Sequence, residues 1–260
     1  MNDVMQPALL IKTLAAALAL ALLSTGARAE SAEELIQKGD VFYDKLQAAE
    51  ALTFYLPAEK LDSNNVRLLV RIARQYRHLM SDATNASVKW QLGTTAVDYA
   101  QRAVALAPDD PETQLAVAIS FGKMLPLEGT KQQIAHSRLI KIAVDRAIAL
   151  NPTNDLAWQV LGRWYRGLAE VGTVKRALAQ VAYSKLPPAT YADAVRCFEK
   201  AIALNPHRLM HYIELGCTYA QMGRDADARK FISKGLAMPA TEKDDPETKK
   251  IGRQVLKKLD

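Results

Sequence analysis

The chain has 260 residues, is 49% hydrophobic and 24% charged, and carries a formal net charge of +6. That balance excludes a disordered or fibrous polymer, and 12 Gly with 11 Pro are too few for the turns of a large β-sandwich or barrel. Two cysteines exclude a disulfide framework and a four-thiolate zinc site, while abundant Ala and Leu favour helices.

The first element is an apolar run over residues 13–23, preceded by Lys12 and broken by Ser24 and Gly26. Ala27-Arg28-Ala29 then gives the small-x-small pattern of a cleavage site. The run is shorter than the roughly 20 residues of a membrane-spanning helix, and it lacks the polar face of a surface helix. Residues 1–29 are therefore expected to be a signal peptide, cleaved after Ala29, with the mature chain periplasmic or secreted. An uncleaved membrane anchor is the alternative. Export also argues against a nucleic-acid partner.

From residue 32 the chain repeats itself. Residues 103–108, 147–152 and 201–206 align without gaps, each ending in proline where a helix must stop. Weaker copies lie at 58–63 and 235–239. Upstream, Trp158, Leu161, Gly162 and Tyr165 are spaced as W-x2-L-G-x2-Y, and Tyr212, Leu215, Gly216 and Tyr219 repeat the spacing. Ala194, Phe198 and Ala201, closed by Pro206, supply the partner pattern A-x3-F-x2-A. Together these are the two helices of a tetratricopeptide repeat. The glycine lets paired helices approach, and the large residues fill the seam.

In chain order the spacing predicts repeats over 32–65, 66–110, 111–154, 155–208 and 209–242, then a cap helix over 246–259. The middle three repeats carry extra residues between their helices, including the apolar stretch 178–186. Pro246 occupies the first turn of the cap, with Ile251, Val255, Leu256 and Leu259 as its apolar face. The expected fold is an all-α, tetratricopeptide-like solenoid of about five helical hairpins.

Residues 123–242 resemble the regulator of microtubule dynamics family. The likeness rests on Glu128-Gly-Thr-Lys131, Leu161-Gly-Arg-Trp164, Leu186-Pro-Pro-Ala-Thr-Tyr191 with Ala194, and residues 198–206. It fades before residue 66. The resemblance implies a non-catalytic helical-repeat protein. Eukaryotic members are associated with microtubules and spindle poles, and some are membrane-anchored. Tubulin is an expected partner only for a chain that is not exported.

No motif for metalloprotease, nucleophile-elbow, dithiol or dinucleotide chemistry occurs in the sequence. The glycines between Gly122 and Lys131 are too far apart for a phosphate loop. His207 and His211 lack a third metal ligand. Asp109-Asp110 and Asp244-Asp245 fall at expected helix starts, where capping and the helix dipole explain them. Cys197 and Cys217 lie in neighbouring repeats and either pair or fill helix seams. The expectation is no catalytic residue, no metal and no cofactor.

Charge is unevenly spread: residues 30–122 are net −4, whereas residues 123–185 are net +6. Within the acidic part, Arg67, Arg71, Arg74 and His78 form one helical stripe. First helices line the concave face of a tetratricopeptide solenoid. Arg67, Arg71 and Arg74, with Lys123, Arg163 and Arg166, are thus the candidate partner-binding residues, with Arg77 and His78 beside them. Guanidinium forks suit carboxylates and phosphates in a partly dry groove. The reading is a scaffold for an acidic peptide or protein. A carrier or sensor of an anionic small molecule or phospholipid, with 178–186 as its lid, is the alternative.

Overall fold

The computed structural model describes residues 30–170 and 189–259, and among them are eleven α-helices and no strand. The expected signal peptide and the apolar insertion at 178–186 lie outside the described residues. Five helical hairpins follow one another: α1 (Ala32–Asp44) with α2 (Ala48–Leu61), α3 (Val66–Asp82) with α4 (Ala86–Leu106), α5 (Pro111–Met124) with α6 (Thr130–Leu150), α7 (Asp155–Ala169) with α8 (Tyr191–Leu204), and α9 (Leu209–Gln221) with α10 (Asp225–Ala237). Helix α11 (Asp245–Leu259) packs on α9 and α10. From the second hairpin on, first helices stack in series, α3 on α5, α5 on α7 and α7 on α9. Helices α4 and α6 have 21 residues each, so in two of the middle hairpins the extra chain lengthens the second helix. None of the described helices is long and apolar enough to cross a membrane.

The proline-ended hexapeptides do more than stop a helix. The Gln114 side chain donates to the Pro108 carbonyl at 2.7 Å, the Trp158 indole to Pro152 at 2.8 Å, and the Tyr212 hydroxyl to Pro206 at 3.0 Å. In each case a residue six positions on, in the next helix, donates back to a carbonyl of the turn and so satisfies it. Asp110 and Asn154 cap the helices that start there, and a Thr190–Asp193 capping box opens α8.

Trp158 is consequently half-buried at a turn rather than sunk in the seam. The buried indole is that of Trp164, 6% exposed, which donates to the Ser137 carbonyl at 2.9 Å. The seam of the fourth hairpin is formed by Gly162 and Phe198: a Cβ on Gly162 would stand 2.8–3.0 Å from three atoms of that ring. At Gly216 a Cβ would stand 2.9 Å from the Ile232 nitrogen and 3.0 Å from the Ala228 carbonyl oxygen, so α9 and α10 touch backbone to backbone.

One further side-chain expectation needs correction. Ile251 is 46% exposed. The inner face of α11 runs through Asp245, Thr248 and Gly252, with Val255 and Leu256 continuing it. At 100° per residue Ile251 falls outside that stripe. Cys197 and Cys217 are both buried free thiols, and burial pushes them up to about 12 and about 11 respectively.

Candidate functional site

A cavity of about 570 Å³ opens between the first helices of the second, third and fourth hairpins. Its apolar wall is formed by Val70, Leu115, Ile119, Leu156, Val160 and Trp164. Helix α3 divides its sides by period: Leu68, Leu69, Ile72 and Ala73 are fully buried in the core, while Val70, Arg71, Arg74, Arg77 and His78 face the cavity. Lys123 joins them from α5, and Arg163 and Arg166 from α7. Arg67, in the first turn of α3, is exposed and does not line the cavity.

Most of these cations have internal partners. Arg71 pairs with Asp40 of α1 at 2.8 Å, and the Tyr55 hydroxyl donates to the same carboxylate at 2.5 Å. Arg74 lies over the Tyr43 ring, 4.8 Å from its centre, and donates to its hydroxyl. Arg166 meets Glu214 of α9 at 2.5 Å and also donates to the Glu214 carbonyl at 3.1 Å; Arg163 reaches the same carboxylate at 3.5 Å. Burial alone raises the Glu214 carboxyl, but the Arg166 and Arg163 charges outweigh it and hold it below its ordinary value. Arg166 therefore joins α7 to α9. Arg163, with its side chain 56% exposed, is the more accessible of the two.

Arg77 is the exception. It is 6% exposed and donates to Ser120 Oγ at 3.0 Å, and among the described residues no carboxylate makes an ion pair with it. Burial first, and neighbouring Arg74 second, lower it to about 10. The same two causes depress His78 to about 3, so its ring is neutral near pH 7. Lys123 is lowered by burial, against the opposing pull of Asp244.

The carboxylates on the opposite rim come from residues 239–244, which link α10 to α11. Glu242 pairs with Arg208 at 2.6 Å and with Arg74 at 3.4 Å. Asp244 pairs with Lys123 at 2.8 Å and accepts from the Ser81 hydroxyl at 2.9 Å, and Lys243 pairs with Asp82 at 2.8 Å. Asp244 does stand at a helix start, its carbonyl accepting from the Thr248 amide at 2.9 Å, but its side chain serves α3 and α5 instead of capping α11. The Asp245 side chain alone plays a local part, accepting from the Thr241 and Glu242 amides at 2.8 Å each.

The two spaced histidines also separate. His207 is exposed, whereas His211 is fully buried with Nε2 at 2.8 Å from Asp155. No group of three potential metal ligands occurs among the described residues. The cavity thus offers cations arranged around an apolar wall, with a buried Arg77 among them. Sequence reasoning set Arg77 beside the candidates and missed Arg208, Glu242 and Asp244. The R-x2-R-x2-R spacing of Arg71, Arg74 and Arg77 was the available signal for the first.

Stacked helical hairpins with a ligand-sized concave cavity define a tetratricopeptide-type solenoid. The structure is similar to that of a thermophilic tetratricopeptide protein of Thermus thermophilus, with a TM-score of 0.61 and 16% identity over 87% of this chain and 99% of that one. It is also similar to residues 41–end of MamA from Desulfovibrio magneticus RS-1, at a TM-score of 0.52 and 14% identity over 81% and 96%. At these identities the likeness shows the fold. The chain belongs to the family described as Regulator of microtubule dynamics protein 1-3, whose model matches residues 35–260. The match extends through the first hairpin, upstream of the point where the resemblance in motifs fades. Mouse regulator of microtubule dynamics protein 1 is 28% identical over 226 residues, 86% of this chain and 73% of that protein. Human regulator of microtubule dynamics protein 2 is 25% identical over 197 residues, 75% of this chain and 48% of that protein.

Proposed function

We propose that this protein is a non-catalytic scaffold that binds an acidic peptide or protein segment in its concave groove. The observation that carries the reading is Arg77, a buried cation without a paired carboxylate among the described residues, grouped with Arg71, Arg74, Lys123 and Arg163 around one cavity. A buried charge with no directly paired carboxylate, offset only in part by Asp244, is costly, so a ligand carboxylate arriving there is favoured. Arg163 is the accessible arm of the groove. A forked pair between its guanidinium and a carboxylate contributes about 1.5–3 kcal/mol. Arg163→Glu should weaken partner capture by about tenfold or more while leaving the helical signal intact. Capture unchanged by that substitution, or unaffected by salt, counts against the groove.

The export signal expected over residues 1–29 supports a location in the periplasm or outside the cell, away from tubulin. N-terminal sequencing of the mature chain should begin at Glu30. An intact Met1 form in the cytoplasm would instead favour the activity named for the relatives. The apolar wall of the cavity supports a second reading, an anionic amphiphile such as a phospholipid. Mass spectrometry of lipids co-purifying with the protein tests it, and their absence removes it.

A further inference from the structure

We infer that residues 239–244 are a built-in stand-in for the groove's ligand, and that the partner is an acidic segment with two carboxylates two residues apart that displaces them. The inference rests on the acidic-peptide reading above and specifies what the peptide must look like and remove.

The segment occupies the acid-binding end of the cavity and is held there by charge. Its core, Glu242-Lys243-Asp244, alternates acidic, basic and acidic. Each side chain meets an opposite charge on another element: Arg74 and Arg208 for Glu242, Asp82 for Lys243, Lys123 for Asp244. The contacts to α3 join positions more than 160 residues apart, so the segment ties the last hairpin back to the second. An ordinary interhelix turn has no need of such reach.

Its other holds are hydrogen bonds: Ser81 donates to the Asp244 carboxylate, the Thr241 and Glu242 amides to Asp245, the Asp245 amide to the Glu242 carbonyl, and Thr248 to the Asp244 carbonyl. Pro239, Ala240 and Thr241 are exposed, and none of the three carries apolar surface into the core. The side chains of Glu242, Lys243 and Asp244 keep 30%, 24% and 32% of their surface in contact with solvent. Partly solvated ion pairs are individually weak. The segment's two ends are fixed, at Met238 by Lys249 and at Asp245 by that residue's burial at the start of α11. It is a short strap, pinned at its ends and held in the groove by exchangeable pairs.

The cations below it do not tolerate a vacancy. Asp244 offsets the charges of Lys123 and Arg77. If the strap lifts, Arg77 is left buried among Arg74 and Lys123 without that offset. Departure of the strap is therefore coupled to arrival of another anion, and a peptide with the same spacing of carboxylates satisfies the same cations. The strap sets a threshold: neutral or singly acidic segments leave one of the two cation groups unfilled.

The test uses the mature chain, wild type and Glu242→Gln with Asp244→Asn, and a fluorescein-labelled synthetic peptide of residues 238–245 as probe. Binding is read by anisotropy at low and physiological salt. The variant should bind the probe about tenfold or more tighter than wild type, with affinity falling as salt rises. A probe with Gln at position 242 and Asn at position 244 should not bind either chain. Equal affinity for wild type and variant overturns the strap and leaves the acidic groove standing. No binding by either folded chain overturns both. Should the variant not fold, hydrogen exchange on the wild-type chain decides. Saturating probe should speed exchange of the Thr241 and Glu242 amides, and unchanged exchange overturns the strap.

Discussion

The close approach of Gly162 and Phe198 predicts a substitution whose effect changes sign with its background. A Cβ at Gly162 would stand 2.8–3.0 Å from three atoms of the Phe198 ring. That ring is fully buried, packed with Ala194, Leu215, Tyr219 and Ala228, and has nowhere to retreat. Overpacking of this kind costs about 1–3 kcal/mol, whereas replacing Gly with Ala inside a helix gains about 1 kcal/mol. Gly162→Ala should therefore destabilise the native chain by about 1 kcal/mol. Phe198→Ala alone should cost about 3–5 kcal/mol, because it empties the seam. In that background the clash is gone and only the helix gain remains, so Gly162→Ala should now stabilise by about 1 kcal/mol. The coupling of about 2 kcal/mol is of the size found for residues in direct contact. Urea unfolding followed by circular dichroism measures all four corners of the cycle. The same sign in both backgrounds would refute the reasoning and show that α7 and α8 do not pack through this contact.

Arg166→Ala should lose about 1.5–3 kcal/mol in a thermal melt, because it leaves Glu214, its side chain 13% exposed, with only the longer contact to Arg163; a loss below about 0.5 kcal/mol would show the pair to be dispensable. Tyr212→Phe removes the bond to the Pro206 carbonyl and should cost about 1 kcal/mol, and an unchanged melt would mean the turn does not need it. Burial alone raises the Asp155 carboxyl, but His211 and Arg208 outweigh burial and hold it down at about 2 from an ordinary 3.8. Its stabilisation, about 2 kcal/mol, is complete above pH 3.8 and lost as pH falls through about 2. Wild type and Asp155→Asn should thus differ at pH 7 and converge in acid; a constant difference across that range would contradict the assignment.

Local spacing made the hairpins legible. Proline at the end of one helix and an aromatic six residues on are separated by a single turn, so one side chain answers the other within a short stretch. Trp158 and Tyr212 reveal the pattern by position even though Trp158 is not in the seam. The arginine stripe of α3 was likewise visible, because periodicity alone selects a face. What occupies that face was not. Asp40 meets Arg71, Glu214 meets Arg166, and Asp244 meets Lys123 across elements distant in sequence. Their pairing is decided by how the hairpins stack, which no local period records. Asp244 misled because a carboxylate beside Pro246 fits a helix start as well as it fits a distant lysine. Ile251 misled because one residue's error in phase turns an apolar side chain from the core to solvent.

The groove is tested most directly by photocrosslinking from Gly167. This residue lines the cavity, and beyond its chain neighbours and its own helix backbone no heavy atom lies within 4 Å of the place where its Cβ would stand. Benzoylphenylalanine there should capture an acidic segment of a partner in the native compartment, and raised salt should suppress the capture. The same group at Lys200, exposed on α8 and outside the cavity, is the control. A salt-sensitive crosslink from position 167 to a peptide rich in Asp and Glu, absent from position 200, is the predicted result. Equal crosslinking from both positions, or capture indifferent to salt, would contradict binding in the basic groove.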